Sequence, residues 1–384
     1  MRTIEQLERF ARMAQLFRYF RGRRGAALGA LVLAASLGGG LVSTDRAARL
    51  ASGPLTAARL EIQRRQAPPA PAALQARLDE LATAYGEEVG VAVTDVSAGW
   101  TAGVDQNRPY PQQSVSKLWV AIAVMKAADE GRIDPYGWVT LTDADRSVFF
   151  QPVAYQIRDG GYATPISDLL RRALVESDNA ANDRLMRELG GPEGVAATLQ
   201  DMGLTEVKVG AYERDLQART AGLVWRADYG IGWNFQAARE ALPMATRQSA
   251  LDAYLAQPLD GAAPAAITAA LAALSRGELL SPASTSRLIG LMQEARTGPR
   301  RLKGGLPAGW SIAHKTGTGQ DFRGASVGIN DVGLITAPDG HVYAVAVMMR
   351  RTRQSVPARL AFMQAVTRAV AEQWVRDDAL QVAD

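Results

Sequence analysis

Residues 114–117 read Ser-Val-Ser-Lys, and an apolar run follows them directly. Apolar residues recur at helical spacing from Leu118 to Met125, which predicts a helix from Ser114 to about Asp129. Positions i and i+3 share one helical face, so the Ser114 hydroxyl should lie beside the Lys117 amine at a positive helix end. This setting would favour a deprotonated lysine and an activated serine. An N-cap serine followed by a solvated lysine is the alternative, and this motif alone favours it.

Two further polar motifs follow in the chain. Ser177-Asp178-Asn179 comes after an apolar helical run, where it could project a hydroxyl and an amide into a cleft or simply cap the next helix. Residues 315–319, Lys-Thr-Gly-Thr-Gly, directly follow a short strand pattern that begins at Ser311. A lysine at a strand edge can hold a carboxylate, and glycines allow close approach of a ligand. A glycine-rich turn is the alternative.

The wider pattern places strands at both ends of the chain and helices in the middle. Helices are predicted over residues 72–85, 114–129, much of 166–295 and 360–376, and strands over 89–96, 311–314, 326–335 and 343–349. This order predicts an α+β fold, with an antiparallel sheet built from both chain ends, flanked by terminal helices and joined to an all-helical lobe. A cleft should lie between the two lobes.

The three motifs, in this order and in these contexts, resemble those of class A β-lactamases and the related penicillin-binding proteins. The resemblance covers residues 72–376 and implies a β-lactamase/transpeptidase-like fold. Glu213-Arg214-Asp215-Leu216-Gln217 is also similar to the Glu-x-x-Leu-Asn motif of the class A Ω-loop, which penicillin-binding peptidases lack. A surface acid is the alternative for Glu213.

The resemblance implies a role for each matching residue. Ser114 attacks the β-lactam carbonyl, and Lys117, or Glu213 acting through water, is the base for this step. The resemblance further implies that Ser177 protonates the leaving nitrogen and that Glu213 activates the water that hydrolyses the acyl-enzyme. The implied substrate-binding residues are Asn179, Lys315, Thr316, Gly317 and Thr318. The backbone N–H groups of Ser114 and Thr318 would form the oxyanion hole, and Arg323 is a further candidate for carboxylate binding.

Three features depart from the class A pattern. Gln217 stands in place of the usual asparagine, and Ala211 in place of an arginine that pins the Ω-loop. The interval between Glu213 and Lys315 is longer than usual, with extra chain in residues 218–262 that could form a lid, a partner surface or an extension of the helical lobe. These departures leave two alternatives to a β-lactamase: a peptidoglycan D-Ala-D-Ala peptidase or other serine amidase, and a non-hydrolysing penicillin sensor.

Composition limits the other possibilities. The chain has no cysteine and two histidines among its 384 residues, so we expect no metal site and no cofactor. Residues 1–50 contain nine arginines and three acidic residues, and this segment therefore accounts for the net charge of +4. The body lacks a basic patch with interleaved aromatics, which argues against nucleic-acid binding. We expect a monomer that acts on a small-molecule β-lactam or a peptidoglycan peptide.

The N-terminal segment indicates export. Arg21, Arg23 and Arg24 precede an apolar run from Gly25 to Val42, as in a signal peptide or signal-anchor. We therefore expect residues 1–43 to contain a cytoplasmic basic segment and an export signal, and to contact the membrane. The body is expected in the periplasm or another extracytoplasmic location, either released or anchored to the inner membrane by this segment. A linker over 44–71, a catalytic domain over 72–376 and a tail over 377–384 complete the predicted organisation.

Overall fold

The computed structural model describes residues 67–383, so the predicted export segment 1–43 and most of the linker 44–71 lie outside the described residues. Within the described part of the chain, no helix is both long enough and apolar enough to cross a membrane.

A single antiparallel sheet forms the centre of the described fold. The strands are β1 (Val89–Asp95), β2 (Thr101–Val104), β3 (Tyr110–Pro111), β4 (Trp138–Leu141), β5 (Tyr162–Pro165), β6 (Gly261–Ala262), β7 (Ser311–Gly317), β8 (Asp321–Phe322), β9 (Ala325–Thr336) and β10 (Val342–Thr352). The main sheet has the order β2-β1-β10-β9-β7, and β8 pairs with β9. The other four strands form two small separate sheets, β3 with β6 and β4 with β5. Because β1 pairs with β10, the early and late parts of the described chain meet in the sheet, which confirms the predicted α+β architecture.

Helices flank this sheet and build the second lobe. They are α1 (Ala72–Tyr85), α2 (Lys117–Asp129), α3 (Ile166–Arg171), α4 (Asn179–Glu188), α5 (Gly191–Asp201), α6 (Glu213–Ala221), α7 (Asn234–Ala241), α8 (Met244–Ala256), α9 (Pro264–Ser275), α10 (Pro282–Gln293) and α11 (Val356–Ala383). The closing helix α11 begins before the predicted Leu360 and continues through most of the segment 377–384 that was predicted as a tail.

Apolar side chains fix the terminal helices on one face of the sheet. Leu74 and Leu78 of α1 and Val366 of α11 belong to one buried cluster with Val91 and Val345 of the central strands. Burial of each such side chain stabilises the fold by about 1.5–3 kcal/mol before the cost of ordering the chain. The first and last helices, α1 and α11, are therefore held on the same face of the sheet by shared apolar packing.

The helix that follows Ser114 is buried on all sides. Residues 118–124 of α2 are all 0% exposed. A helix that is apolar all round belongs in a protein interior, and α2 is accordingly packed between the sheet and the helical lobe. This burial gives the residues at its N-terminal end a rigid support.

Two local predictions are corrected by the structure. The α-helix begins at Lys117 rather than Ser114, because Gln113–Ser116 form a tighter 3₁₀ turn that still brings the i and i+3 side chains together. Lys315, Thr316 and Gly317 lie inside β7 rather than in a turn after it, since β7 pairs with β9 along its full length.

The extra chain in residues 218–262 is largely helical and packs on α6. Leu251, Tyr254 and Leu255 of α8 form a buried cluster with Leu216 of α6. A second cluster joins Tyr229 and Phe235 to Val148 and the C-terminal end of α6. This segment is therefore part of the wall that supports Glu213 at the start of α6.

Candidate active site

Ser114, Lys117 and Glu213 form a continuous chain of hydrogen bonds. The Lys117 Nζ lies 2.9 Å from Ser114 Oγ and donates to Glu213 Oε2 at 2.8 Å. The side chains of Lys117 and Glu213 are 0% and 4% exposed. The helix pattern predicted the contact between Ser114 and Lys117, and the structure adds the Glu213 carboxylate as a second partner of Lys117. The three groups are near enough to exchange a proton.

The charge state of Glu213 follows from this pairing. Burial would raise its pKa, but the Lys117 ammonium and the hydrogen bond from Gln217 lower it, and the net result is a pKa below the usual value. Glu213 is therefore a carboxylate over the whole physiological range. A buried carboxylate that is linked to the serine hydroxyl through a lysine is suited to act as a general base.

Ser177 and Asn179 lie at a break between two helices. After α3 the chain makes one π-helical turn, and Ser177 then adopts a left-handed conformation with φ 66°. Short π segments are frequent at functional sites. The Asn179 Nδ2 donates to Val148 O at 2.8 Å, which fixes the side-chain amide. The Ser177 hydroxyl is therefore turned towards the cleft that contains Ser114, and Asp178 caps α4 by accepting from the Ala181 N–H, so both interpretations of the motif are confirmed.

Lys315 lies buried beneath the cleft and is not part of its surface. Its side chain is 0% exposed, and Nζ donates to Ser177 Oγ at 2.8 Å and to Thr316 O at 3.1 Å. Burial, and then the like charge of Lys117, lower its pKa well below the usual value. Gly317 is required here, because a Cβ at this position would lie 2.3 Å from Gln112 O.

These side chains meet at a cleft of about 490 Å³. The sequence-predicted residues that line it are Ser114, Ser177, Asn179, Glu213, Thr316 and Thr318. Lys117, Lys315 and Gly317 lie immediately beneath this surface and are fully buried. The structure thus brings all nine predicted site residues to one place, from both lobes.

Arg301 is a cleft residue that the sequence analysis missed. Its guanidinium lines the cleft and donates to Thr318 Oγ1 at 2.6 Å and to Gly317 O at 2.9 Å. Arg323, the predicted candidate, is exposed in the turn between β8 and β9 and does not line the cleft. No spacing signal in the sequence marked Arg301, because it reaches the cleft from a turn outside the motifs.

Asp183 was also missed, although helical spacing could have indicated it. It lies four residues after Asn179 on α4 and therefore on the same face. Its carboxylate accepts the backbone N–H groups of Glu213 and Arg214, at 2.6 Å and 3.3 Å, and the Ser147 hydroxyl at 2.9 Å. Asp183 thus anchors the first turn of α6, whose backbone N–H groups have no partner within the helix.

Asp183 should make folding stability depend on pH. Burial, and then the charge of Glu213, raise its pKa to about 7. A carboxyl with a raised native pKa contributes stability that is complete below its unfolded pKa of about 3.9 and is lost as pH rises through the native value. The free energy of unfolding should therefore fall by on the order of 3 kcal/mol between about pH 4 and pH 8, relative to Asp183→Asn. Urea unfolding of both proteins across this range measures the difference, and parallel curves would contradict it.

Known proteins with similar sequences are β-lactamases. A family model described as the β-lactamase enzyme family matches residues 73–374. β-Lactamase VEB-1 of Pseudomonas aeruginosa is 26% identical over 283 residues, covering 73% of this chain and 84% of the relative. The extended-spectrum β-lactamase PER-1 of Pseudomonas aeruginosa is 28% identical over 295 residues, covering 75% of this chain and 85% of the relative.

Solved structures give the same result. A β-lactamase from Chitinophaga pinensis superposes with a TM-score of 0.64 at 26% identity, covering 78% of this chain and 98% of that structure. An ancestral class A β-lactamase superposes with a TM-score of 0.63 at 29% identity, covering 78% and 99%. With the family match over most of its length, the chain belongs to the β-lactamase enzyme family and, within it, to the class A β-lactamases.

Proposed function

We propose that this protein is a serine β-lactamase that opens the β-lactam amide through an acyl-enzyme on Ser114. The observation that carries the proposal is the hydrogen-bond chain from Ser114 Oγ through Lys117 Nζ to Glu213 Oε2. It supplies a nucleophile, a group that can take the hydroxyl proton, and a carboxylate base for water within one cleft. A peptidase of the penicillin-binding type needs the first two of these groups but not Glu213.

In the acylation step, Ser114 Oγ attacks the lactam carbonyl carbon and its proton passes to Lys117, the side chain in direct contact with it. Lys117 can accept this proton only after it has given one of its own to the Glu213 carboxylate, which is a short transfer within a buried pair. The C–N bond of the lactam then breaks, and Ser177 gives its proton to the leaving nitrogen. Ser177 regains a proton through Lys315, whose Nζ lies 2.8 Å from its hydroxyl, and Lys117 supplies that proton. Glu213 then returns its own proton to Lys117 and is a carboxylate again before deacylation.

In the deacylation step, Glu213 as a carboxylate removes a proton from a water molecule that attacks the ester carbonyl. The Ser114 oxygen leaves and recovers its proton through Lys117. The low pKa of Glu213 keeps it in the required carboxylate form. Its contact with Gln217 Nε2, at 3.0 Å from Glu213 Oε1, fixes the orientation of the base.

Positive charge in the cleft favours an anionic substrate. Lys117, Lys315 and Arg301 lie close enough for Lys117 and Arg301 both to lower the pKa of Lys315, after the larger effect of burial. Glu213 offsets one of these charges. We assign the binding of the β-lactam carboxylate to Arg301, Thr316 and Thr318, with Lys315 buried directly beneath them.

Arg301→Ala should weaken the binding of substrates that carry the carboxylate. A charge-assisted hydrogen bond contributes about 1.5–3 kcal/mol, so KM for a penicillin should rise roughly 10- to 100-fold with a smaller change in kcat. The loss should be small for the methyl ester of the same penicillin, which lacks the charge. Arg323→Asn is the matched control and should behave as wild type. Equal losses for the acid and the ester would show that Arg301 only supports the fold.

The function is tested by steady-state hydrolysis of a penicillin and a cephalosporin, with Ser114→Ala as the inactive control. A D-alanyl-D-alanine peptide should not be hydrolysed at a comparable rate. Cleavage of the peptide without turnover of either β-lactam would replace the proposal with a peptidase.

We also propose that residues 21–42 direct export of the catalytic body. The support is the sequence pattern of three arginines, Arg21, Arg23 and Arg24, before an apolar run. Immunoblots of cell fractions should find the body outside the cytoplasm, in the periplasm or attached to the membrane through this segment. Because one chain supplies the complete site, we propose a monomer, which size-exclusion chromatography with light scattering tests.

A further inference from the structure

The inserted helix α8 contributes a buried tyrosine to the polar interior of the site. Tyr254 packs its ring in the apolar cluster with Leu216 and Leu251, and its side chain is almost completely buried. Its hydroxyl donates to Asp260 Oδ1 at 2.9 Å and accepts from Gln113 Nε2 at 2.6 Å. Tyr254 does not line the cleft. The Tyr254 hydroxyl therefore connects the inserted helix to the polar interior of the site.

Gln113 links Tyr254 to the nucleophile. It directly precedes Ser114 and adopts φ 53°, a left-handed conformation that is unfavourable for a residue other than glycine. Such a conformation persists only where the surroundings impose it. Here the Gln113 N–H donates to Asp260 Oδ2 at 2.6 Å, and the Asp260 carboxylate is itself held by Tyr254.

The side chain of Gln113 occupies space that two glycines leave open. A Cβ at Gly328 would lie 2.6 Å from Gln113 Cγ, and a Cβ at Gly319 would lie 2.9 Å from Gln113 Cδ. Any side chain at either position would displace Gln113. The amide of Gln113 is thus fixed by packing as well as by hydrogen bonds.

From Gln113 the network continues to the base. Gln217 Nε2 donates both to Gln113 Oε1 at 2.8 Å and to Glu213 Oε1 at 3.0 Å. Gln320 Nε2 donates to Gln217 Oε1 at 2.9 Å, so both ends of the Gln217 amide are hydrogen-bonded. An unbroken path therefore runs from the Tyr254 hydroxyl to the carboxylate of Glu213.

We propose that Tyr254 is a positioning residue for the site: through Gln113 and Gln217 it orients the Glu213 carboxylate towards the Ser114 ester. Without the hydroxyl, Gln113 Nε2 loses its acceptor and the Gln113 amide can rotate. Gln217 then loses one of its two acceptors, and Glu213 loses a fixed donor. The longer side chain of Gln217, in place of asparagine, is what allows this path, since it reaches Gln113 and Glu213 together.

The inference rests on the proposed β-lactamase activity and is tested by Tyr254→Phe, which removes a single oxygen atom. Displacement of a catalytic group by about 1 Å can cost roughly 10²-fold in rate. We expect the deacylation rate constant, measured by intact-mass spectrometry after a single penicillin turnover, to fall at least about 10-fold. The acylation rate constant should fall less, and KM should fall with kcat because the acyl-enzyme accumulates.

Tyr85→Phe is the matched control. The Tyr85 hydroxyl is also buried and hydrogen-bonded, to Thr352 Oγ1 at 2.7 Å, but on the far side of the sheet. Both variants should lose similar thermal stability, whereas only Tyr254→Phe should lose deacylation.

A double-mutant cycle with Gln217→Asn gives a second readout. Asparagine is too short to bridge Gln113 and Glu213, so it should break the same path. The double variant should then deacylate no more slowly than the slower single variant, because interacting residues are not additive. If the wild type turns over penicillin and Tyr254→Phe deacylates at the same rate, the inference is overturned but the proposed function stands. Fully additive losses of deacylation rate in the double variant would have the same meaning. A wild-type protein that penicillin does not acylate would overturn both the inference and the proposed function.

Discussion

Replacing Glu213 with glutamine should trap the acyl-enzyme on Ser114. The amide keeps an oxygen for Lys117 and nearly the same volume, but it cannot remove a proton from water. A general base contributes roughly 10²- to 10⁴-fold, so the deacylation rate constant should fall by about that factor. Acylation should persist, because the neutral amide resembles the protonated Glu213 of the acylating state and keeps an oxygen for Lys117.

The control is Glu176→Gln, a change of the same kind at another acidic residue that lines the cleft. Glu176 pairs with Arg171 and Arg296 rather than with Lys117, so its replacement should leave turnover close to wild type. Mass spectra after mixing with penicillin measure both proteins. An adduct that disappears as fast in Glu213→Gln as in wild type would exclude Glu213 as the base.

Lys117→Met should remove acylation itself. Methionine keeps the apolar stem but has no amine to take the Ser114 proton, and kcat/KM should fall by roughly 10³-fold. The variant also leaves Glu213 buried without its nearest cation, so the pKa of Glu213 should rise and the protein should lose stability. No adduct should accumulate, which distinguishes this variant from Glu213→Gln.

Lys126→Met is the control for this change, because it lies on the same helix and pairs with Glu130 at 3.3 Å on the protein surface. An exposed pair of this kind contributes little, so both activity and stability should be nearly unchanged. If Lys117→Met formed the adduct at the wild-type rate, the proton would have to leave Ser114 by another route.

The sequence predicted the fold well because its strongest signals are local. Apolar periodicity identified α1 with its bounds and the strand pattern of β9, and the three motifs identified the family. Errors occurred at motif boundaries. Lys315 was assigned to the end of a strand pattern because the polar and glycine residues after Ala313 are unusual in strands, yet ladder pairing with β9 carries β7 through Gly317.

The supporting residues of the site were largely beyond sequence reasoning. Arg301 and Tyr254 reach the site only because distant segments pack together, and neither has a motif around it. The sequence identified Gln217 only as a departure from the usual asparagine. In the structure its amide is held by Gln113, Glu213 and Gln320, so its length serves a network that the sequence could not reveal.

The central claim is that Ser114 forms an acyl-enzyme that Glu213 helps to hydrolyse. The most direct test is time-resolved intact-mass spectrometry of the purified wild-type chain mixed with a penicillin, with peptide mapping of the adduct. The account predicts a short-lived adduct on Ser114 that disappears as penicilloic acid accumulates. An adduct that persists on the wild type, or no adduct on Ser114 at any time, would contradict it.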